Sequence, residues 1–458
     1  MPAFSPVAAL PTKRVVITGL GLVSPLGVTV KDAWKRLQCP SATFQPPFVE
    51  CTSFPCEDIP HRTVAPCSLS MEDTNIDKSD RHKLSRAMMF AAVAAEEALK
   101  QAGLFTLPLE KDTDTDTDTD TCTSHDNNPS IDRASIGVAI GSGIGSLPDS
   151  SLTTLALERR GYTRVSPYYI PKILPNAAAS YVAMRHGFHG PLLSSSTACA
   201  AGLHAIADAF RLIQVGDAEI VICGGSEATI CRESLAGFSR LHALGDVSRP
   251  FDVARQGFVM AEGAGILVLE SEQHALQRVI PILGEIRGFG ATSDAHHTTA
   301  PHPQGLFIEA CMRRALQRAS IDAGEVTGIV AHATSTPMGD AIEWAALQRL
   351  FPPLSQLSDS DDLPIPVMAA KGSWGHGLGA AGAMEAILSV CALQPEAMFP
   401  PIHGLQTHLD EKHAERGIRC VREESYMPPN ALDRGRIILQ NAFGFGGTNA
   451  SIVWSSYH

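Results

Sequence analysis

One cysteine among eleven stands in a setting that chemistry can use. Residues 194–202 read SSSTACAAG, so small and hydroxyl side chains surround Cys199 where an extended segment enters an amphipathic helix. Leu203, Ile206, Phe210 and Ile213 fall at helical spacing on one face of that helix. A thiol at its start sits among unpaired amides, at the positive end of the helix dipole. That position lowers a thiol's pKa and favours the thiolate, the form that attacks an acyl carbonyl. The amide of the same residue can hold the resulting oxyanion. Burial as an inert core residue is the commoner fate of a cysteine, and this segment alone leaves both readings open.

Three other segments carry similar potential. His332 ends a short apolar strand, GIVA, and opens the polar run ATSTPMGD. Lys371-Gly372-Ser373-Trp374-Gly375-His376 follows a second apolar strand, and the glycine-rich GLGAAGA comes next. Near the C-terminus, residues 441–450 read NAFGFGGTNA, glycines that expose amides beside two phenylalanines. Each histidine taken singly reads as readily as a structural residue. All four segments follow strands, where α/β folds place their ligands.

The elements that must position these residues alternate strand and helix. Apolar strands are predicted at 15–18, 136–140, 219–223, 265–270, 328–331, 366–369 and 436–439, with a glycine turn closing the first. Helices are predicted at 84–98, 200–213 and 382–393. This pattern gives an α/β class with largely parallel, buried strands. At 458 residues with 44% hydrophobic and 18% charged content, the chain has material for a large double-layered core. A net charge of −12 argues against a nucleic-acid binder, and no uninterrupted apolar run reaches membrane-spanning length. The cysteines lack CxxC spacing, so neither a zinc ribbon nor a dithiol redox motif is expected. Residues 1–13 read as a leader without acidic residues, a frayed terminus or a remnant of organelle targeting. Residues 110–133 enclose five Asp-Thr dipeptides and read as a disordered surface insertion.

Taken in order, STAC with its helix, HATSTPMGD, KGSWGH with GLGAAGAMEA, and NAFGFGGTNA resemble the β-ketoacyl-[acyl carrier protein] synthases. The closest likeness is to the elongating Cys-His-His type, class II, and the wording ATSTP is nearest to mitochondrial-type members. VVITGLGLVSPLG, GYTRVSPYYIPKIL, SRPFDVARQGFVMAEGAGILVLE and SDAHHTTAPHPQG agree, so the resemblance spans about residues 14–454. It implies a thiolase-like fold, a duplicated five-layered α-β-α-β-α arrangement, with halves at 14–273 and 274–458. It implies that Cys199 takes the acyl chain as a thioester, and that His332 and His376 assist decarboxylation of malonyl thioester and stabilise the enolate. Lys371 would organise the histidines, and Glu385, Asp340 and Glu343 would form the supporting network. Phe445 would be the gate residue and, with the amide of Cys199, supply the oxyanion hole. Phe443 and the loop 294–305 would be its partners. No metal or cofactor is implied.

The resemblance further implies a homodimer that receives acyl carrier protein, with Lys83 and Arg164 as docking residues and Arg81 and Lys172 beside them. A mitochondrial location follows from the same likeness, with the cytoplasm or another organelle as alternatives. Gln256, Ala261, Ala333 and Trp374 depart from the usual pattern. Trp374, between Lys371 and His376, could narrow the pocket or alter malonyl binding. Three other readings fit the residues less well. A nicotinamide site at Gly19-Leu20-Gly21 lacks its third glycine and a following acid. A thiolase needs a second catalytic cysteine where this chain has FGFGGTNA. A non-catalytic chain-length or decarboxylase-only partner subunit would lack the nucleophile that Cys199 provides.

Overall fold

The computed structural model describes residues 13–104, 131–351, 364–410, 417–427 and 435–458. The Asp-Thr run and residues 1–12 of the expected leader lie outside the described residues. In chain order the strands are β1 (Val15–Val23), β2 (Val49–Glu50), β3 (Thr63–Ala65), β4 (Ile136–Gly141), β5 (Leu192–Leu193), β6 (Ile220–Glu227) and β7 (Met260–Ala261). They continue as β8 (Gly263–Ser271), β9 (Gly284–Ser293), β10 (Gly328–Val330), β11 (Ile365–Met368), β12 (Ile418–Cys420), β13 (Ile437–Gly444) and β14 (Thr448–Ser455).

Eleven of these form one hydrogen-bonded array in the order β12-β11-β10-β13-β14-β9-β1-β8-β6-β4-β5. The array holds the same topology twice. From the outer edge inward, β5-β4-β6-β8-β1 repeats as β11-β10-β13-β14-β9, with β12 added beyond. The directions repeat as well: two parallel pairings, then two antiparallel ones, in each half. The halves join where β1 and β9 pair antiparallel, Val15 opposite Ile286 and Ile17 opposite Gly284.

Helices fill the layers. Ala201–Val215 and Ala381–Ala392 pack on each other, and each touches strands of both halves. They form the central layer, and every residue of the second except Cys391 is buried. Arg86–Gln101 and Ala177–His186 cover the outer face of the first half, and Leu306–Ala319 covers that of the second. The result is the five-layered α/β arrangement that the resemblance implied. Leu203, Ile206, Phe210 and Ile213 are all buried, as their spacing predicts, which stabilises by about 1.5–3 kcal/mol per side chain.

The first strand corrects one expectation. It runs through Gly19 and Gly21 instead of turning there. A Cβ at these positions would lie 2.1 Å from the carbonyl oxygen of Ala98 and 1.8 Å from that of Ala94. The glycines therefore seat a helix backbone against the strand.

Candidate active site

Three of the chemistry-bearing segments follow the ends of β5, β10 and β11, the fourth is the hairpin that joins β13 and β14, and the duplication brings them together. Cys199 lies in the short 3-10 turn Ala198–Ala200 that opens the first central helix. Ala198 takes a left-handed φ of 50° there, a strained conformation for a side chain larger than glycine. The second central helix opens on the equivalent turn, Leu378–Ala380, with φ of 49° at Leu378. Gly444 lets the β13 turn close on this site, since a Cβ there would lie 3.2 Å from the amide nitrogen of Cys199.

Sγ of Cys199 lies 3.2 Å from Nε2 of His376. The ring of His332 stands 5.6 Å from that of His376, edge to face at 81°. His376 is held by its backbone: its amide donates to Val259 at 2.8 Å, and its carbonyl accepts from Ala261 at 3.0 Å. Phe258 stands edge-on to its ring at 4.9 Å. His332 is held by Glu343, whose carboxylate accepts from the amides of His332 at 2.8 Å and Ala333 at 2.7 Å. Asp340 accepts from the amide of Phe251 at 2.8 Å, which ties the same loop to the segment before β7.

Lys371 is fully buried and donates to Glu385 at 2.7 Å and to the His332 carbonyl at 2.5 Å. Its ammonium is 3.5 Å from Nδ1 of His332. Phe443 stands edge-on to His332 at 5.6 Å, and Phe445 packs on Phe238 at 6.2 Å. The loop at 294–305 meets the Phe445 turn through the Gly446 amide on Thr298 at 2.7 Å and the Asp294 amide on Gly447 at 2.8 Å.

Electrostatics follow from burial. The His332 and His376 imidazoles are pushed well below their ordinary value, by desolvation first and by the Lys371 charge second, so both are neutral near pH 7. The Glu385 carboxyl is pushed up to about 7 by burial, against the pull of Lys371. Burial also raises Asp340 to about 7, and the nearby Glu343 adds to the rise. The Cys199 thiol goes the opposite way from the sequence expectation. Burial pushes it up to about 12, against the Lys371 charge and the amides of Cys199 and Phe445. Loss of water around the sulfur outweighs the helix terminus, so the resting group is a thiol. The same two amides approach Sγ, where an acyl oxygen would sit.

The Trp374 indole is buried in the main core with Leu26, Leu37 and Met384, while the apolar residues packed with Cys199 are a separate group that includes Phe258, Phe238 and Leu378. Gln256 is exposed, and Ala261 is buried in β7. Lys83 is ion-paired with Asp80 at 2.7 Å and its ammonium is 5.9 Å from the ring centre of Tyr168, close in sequence to the exposed Arg164. Lys172 pairs with Asp149 at 3.5 Å.

Sequence reasoning missed Glu227. It ends β6, fully buried, and accepts from the amides of Gly143 at 2.6 Å and Ile144 at 3.2 Å. It also faces the Gly379 amide, so it links loops from both halves beside Cys199. A carboxylate closing an otherwise apolar strand, IVICGGSE, was the available signal.

A duplicated five-layered α/β molecule with a cysteine and two neutral histidines at its centre is a thiolase-like condensing fold. The β-ketoacyl synthase N-terminal domain matches residues 12–275, and the C-terminal domain matches 283–405. The chain is 38% identical to 3-oxoacyl-[acyl-carrier-protein] synthase 2 of Rhizobium meliloti, over 97% of its own length and 99% of that protein. It is 37% identical to a putative mitochondrial 3-oxoacyl-[acyl-carrier-protein] synthase of Schizosaccharomyces pombe, with the same coverage, 97% and 99%. Among solved structures, a chain from a complex of a type II PKS acyl-carrier protein with its ketosynthase superposes with a TM-score of 0.78 at 27% identity, over 98% of this chain and 100% of that one. The chain belongs to the β-ketoacyl synthase family.

Proposed function

We propose that this protein carries out the decarboxylative Claisen condensation of acyl-[acyl carrier protein] with malonyl-[acyl carrier protein] in fatty acid elongation. The thiol of Cys199 attacks the acyl thioester, and its proton passes to Nε2 of His376, 3.2 Å away. The amides of Cys199 and Phe445 hold the oxyanion, and the carrier thiol leaves with a proton. Malonyl thioester then places its carbonyl oxygen between His332 and His376; His332, whose Nδ1 faces the Lys371 ammonium, donates through Nε2, and the neutral His376 ring donates once its proton is on Nε2. Carbon dioxide departs, and its bonding electrons form an enolate. The enolate carbon attacks the acyl-Cys199 carbonyl, so a C–C bond forms, the C–S bond breaks, and the released Cys199 thiolate takes a proton from water to return to the resting thiol. Lys371, Glu385, Glu343 and Asp340 hold the His332 loop, and Phe443 and Phe445 close over it.

The observation that carries this reading is the Cys199–His376 contact with His332 beside it, in a chain of this family. The resident cysteine favours a synthase over a non-catalytic chain-length or decarboxylase-only subunit. Incubation with acyl-loaded carrier protein is expected to add one acyl mass to the wild type and none to Cys199→Ala; an unmodified wild type would overturn the reading.

Carrier protein is proposed to dock beside Lys83 and Arg164, and the polyketide relative bound to its carrier supports a partner of that class. Reversing both charges is expected to raise KM for carrier protein; an unchanged KM removes this patch. A homodimer is part of the same proposal, as is the division of each chain into two halves near residue 273. So is a mitochondrial location, supported by the mitochondrial designation of the Schizosaccharomyces pombe relative.

A further inference from the structure

Ser373 stands between Lys371 and His376, and its hydroxyl lies 2.7 Å from Nδ1 of His403. The other ring nitrogen, Nε2, lies 2.9 Å from the carbonyl oxygen of Cys39. A carbonyl only accepts, so Nε2 carries the proton and Nδ1 accepts from Ser373. Burial pushes the His403 imidazole below its ordinary value, against the Cys39 bond, which keeps this neutral form. Phe44 stacks on the ring at 3.7 Å and 15°. The His403 backbone bears on the preceding residue too: a Cβ on Gly372 would lie 1.9 Å from the His403 carbonyl oxygen. Ser373 and His403 are both buried.

These contacts fall on the two residues that follow Lys371. The Lys371 side chain reaches the His332 loop and Glu385, and its carbonyl accepts from the Gly375 amide at 3.1 Å within the same turn. His376 has separate anchors, the backbone bonds to Val259 and Ala261. A shift of the Lys371 turn therefore bears first on Lys371 and His332, while the bonds to Val259 and Ala261 resist its passage through Gly375 to the Cys199–His376 pair. We infer that His403 is a positioning residue for the malonyl half of the reaction, acting through Ser373 and Gly372 on Lys371. The inference rests on the condensation reading above and goes beyond it, because it separates the two half-reactions by the groups that hold them.

The test compares His403→Asn, His403→Gln and Ser373→Ala with the wild type. Asparagine presents an amide oxygen where Nδ1 was and keeps an acceptor for Ser373; glutamine reaches the position of Nε2 instead. Acylation of Cys199 from acyl carrier protein is followed by intact mass, and condensation of the pre-acylated enzyme with malonyl carrier protein is timed separately. Thermal unfolding checks that each variant is folded, and Ser373→Ala serves if the glutamine variant is not. Acylation is expected to stay near wild type throughout. Condensation is expected to fall roughly 10- to 100-fold in His403→Gln and Ser373→Ala, as small misplacements of a reacting group do, and to be largely retained in His403→Asn. Equal losses in both half-reactions, or condensation unchanged in the glutamine and alanine variants, would overturn the inference. A wild type that takes no acyl group would instead remove the condensation reading beneath it.

Discussion

Cys199 is a thiol that has traded water for protein on its reactive side, and its proton must leave as the sulfur attacks. Burial raises it to about 12, so the thiolate fraction at neutral pH is small. Alkylation by iodoacetamide is expected to climb with pH from 6 to 9 without levelling. A plateau beginning near pH 7 would mean a resting thiolate and would contradict the environment described. Glu227 offers the complementary test. Burial lifts its carboxyl from 4.5 to about 7, against the amides of Gly143 and Ile144. A folded-state pKa above the unfolded one gives stability that is complete below pH 4.5 and is lost as pH rises to 7. Glu227→Gln removes that titration. Its stability relative to wild type is expected to rise by about 1.4 kcal/mol per pH unit across this window and to flatten above it, as read by urea unfolding. A constant difference would show that the carboxylate is ionised in the fold. Cys199, His332 and His376 were legible in the sequence because each sits in a motif after a strand. The thiol's true state was not, since desolvation depends on residues far away in the chain, such as Phe258 and Leu378.

The two central helices set the position of the site, and glycine decides how closely they cross. A Cβ at Gly202 would lie 2.9 Å from the Ala383 Cβ and 3.0 Å from the Gly379 carbonyl oxygen. Gly202→Val must push the helices apart, which is expected to cost about 1–3 kcal/mol or more and to slow acylation at Cys199, three residues upstream. Unfolding and intact-mass kinetics check both, and a variant as stable and active as wild type would show that the crossing is loose. The far end of the second helix is held differently. Arg436, buried, donates to the carbonyls of Ala392 at 2.7 Å, Ala397 at 2.6 Å and Pro395 at 2.8 Å. Arg436→Met leaves three acceptors without that donor and is expected to lose about 2 kcal/mol or more while acylation stays near wild type. A loss within a few tenths of a kcal/mol would mean that the carbonyls find other partners. Helix positions were readable to within about three residues from apolar spacing. The role of Gly19 and Gly21 was not, because a glycine seating a helix and a glycine making a turn look alike until the neighbouring helix is placed.

At the scale of the whole molecule, the sheet ends on two edges, β12 and β5. β5 is short, and Leu192 and Leu193 remain exposed on it. The apolar exposure continues over the neighbouring elements. Helix Leu147–Arg160 has no buried residue, and its Leu152 is 68% exposed. It packs on Tyr169–Ile173, which packs on Ala177–His186, which packs on β5, and Ile170 and Leu174 add to the same run of surface. An apolar surface of that extent beside an unpaired strand edge marks a protein interface. Pairing β5 with β5 of a second copy about a two-fold axis would satisfy both edges and cover the leucines, which is the geometry of an isologous dimer. Leu193 lies six residues before Cys199, so the same pairing would steady the segment that leads to the nucleophile. The protein is therefore expected to sediment as a dimer at micromolar concentration. Leu152→Glu with Leu193→Lys is expected to sediment as a monomer and to acylate more slowly. A wild type that stays monomeric across that range would leave the β5 edge to another partner. A double variant that stays dimeric would place the interface elsewhere.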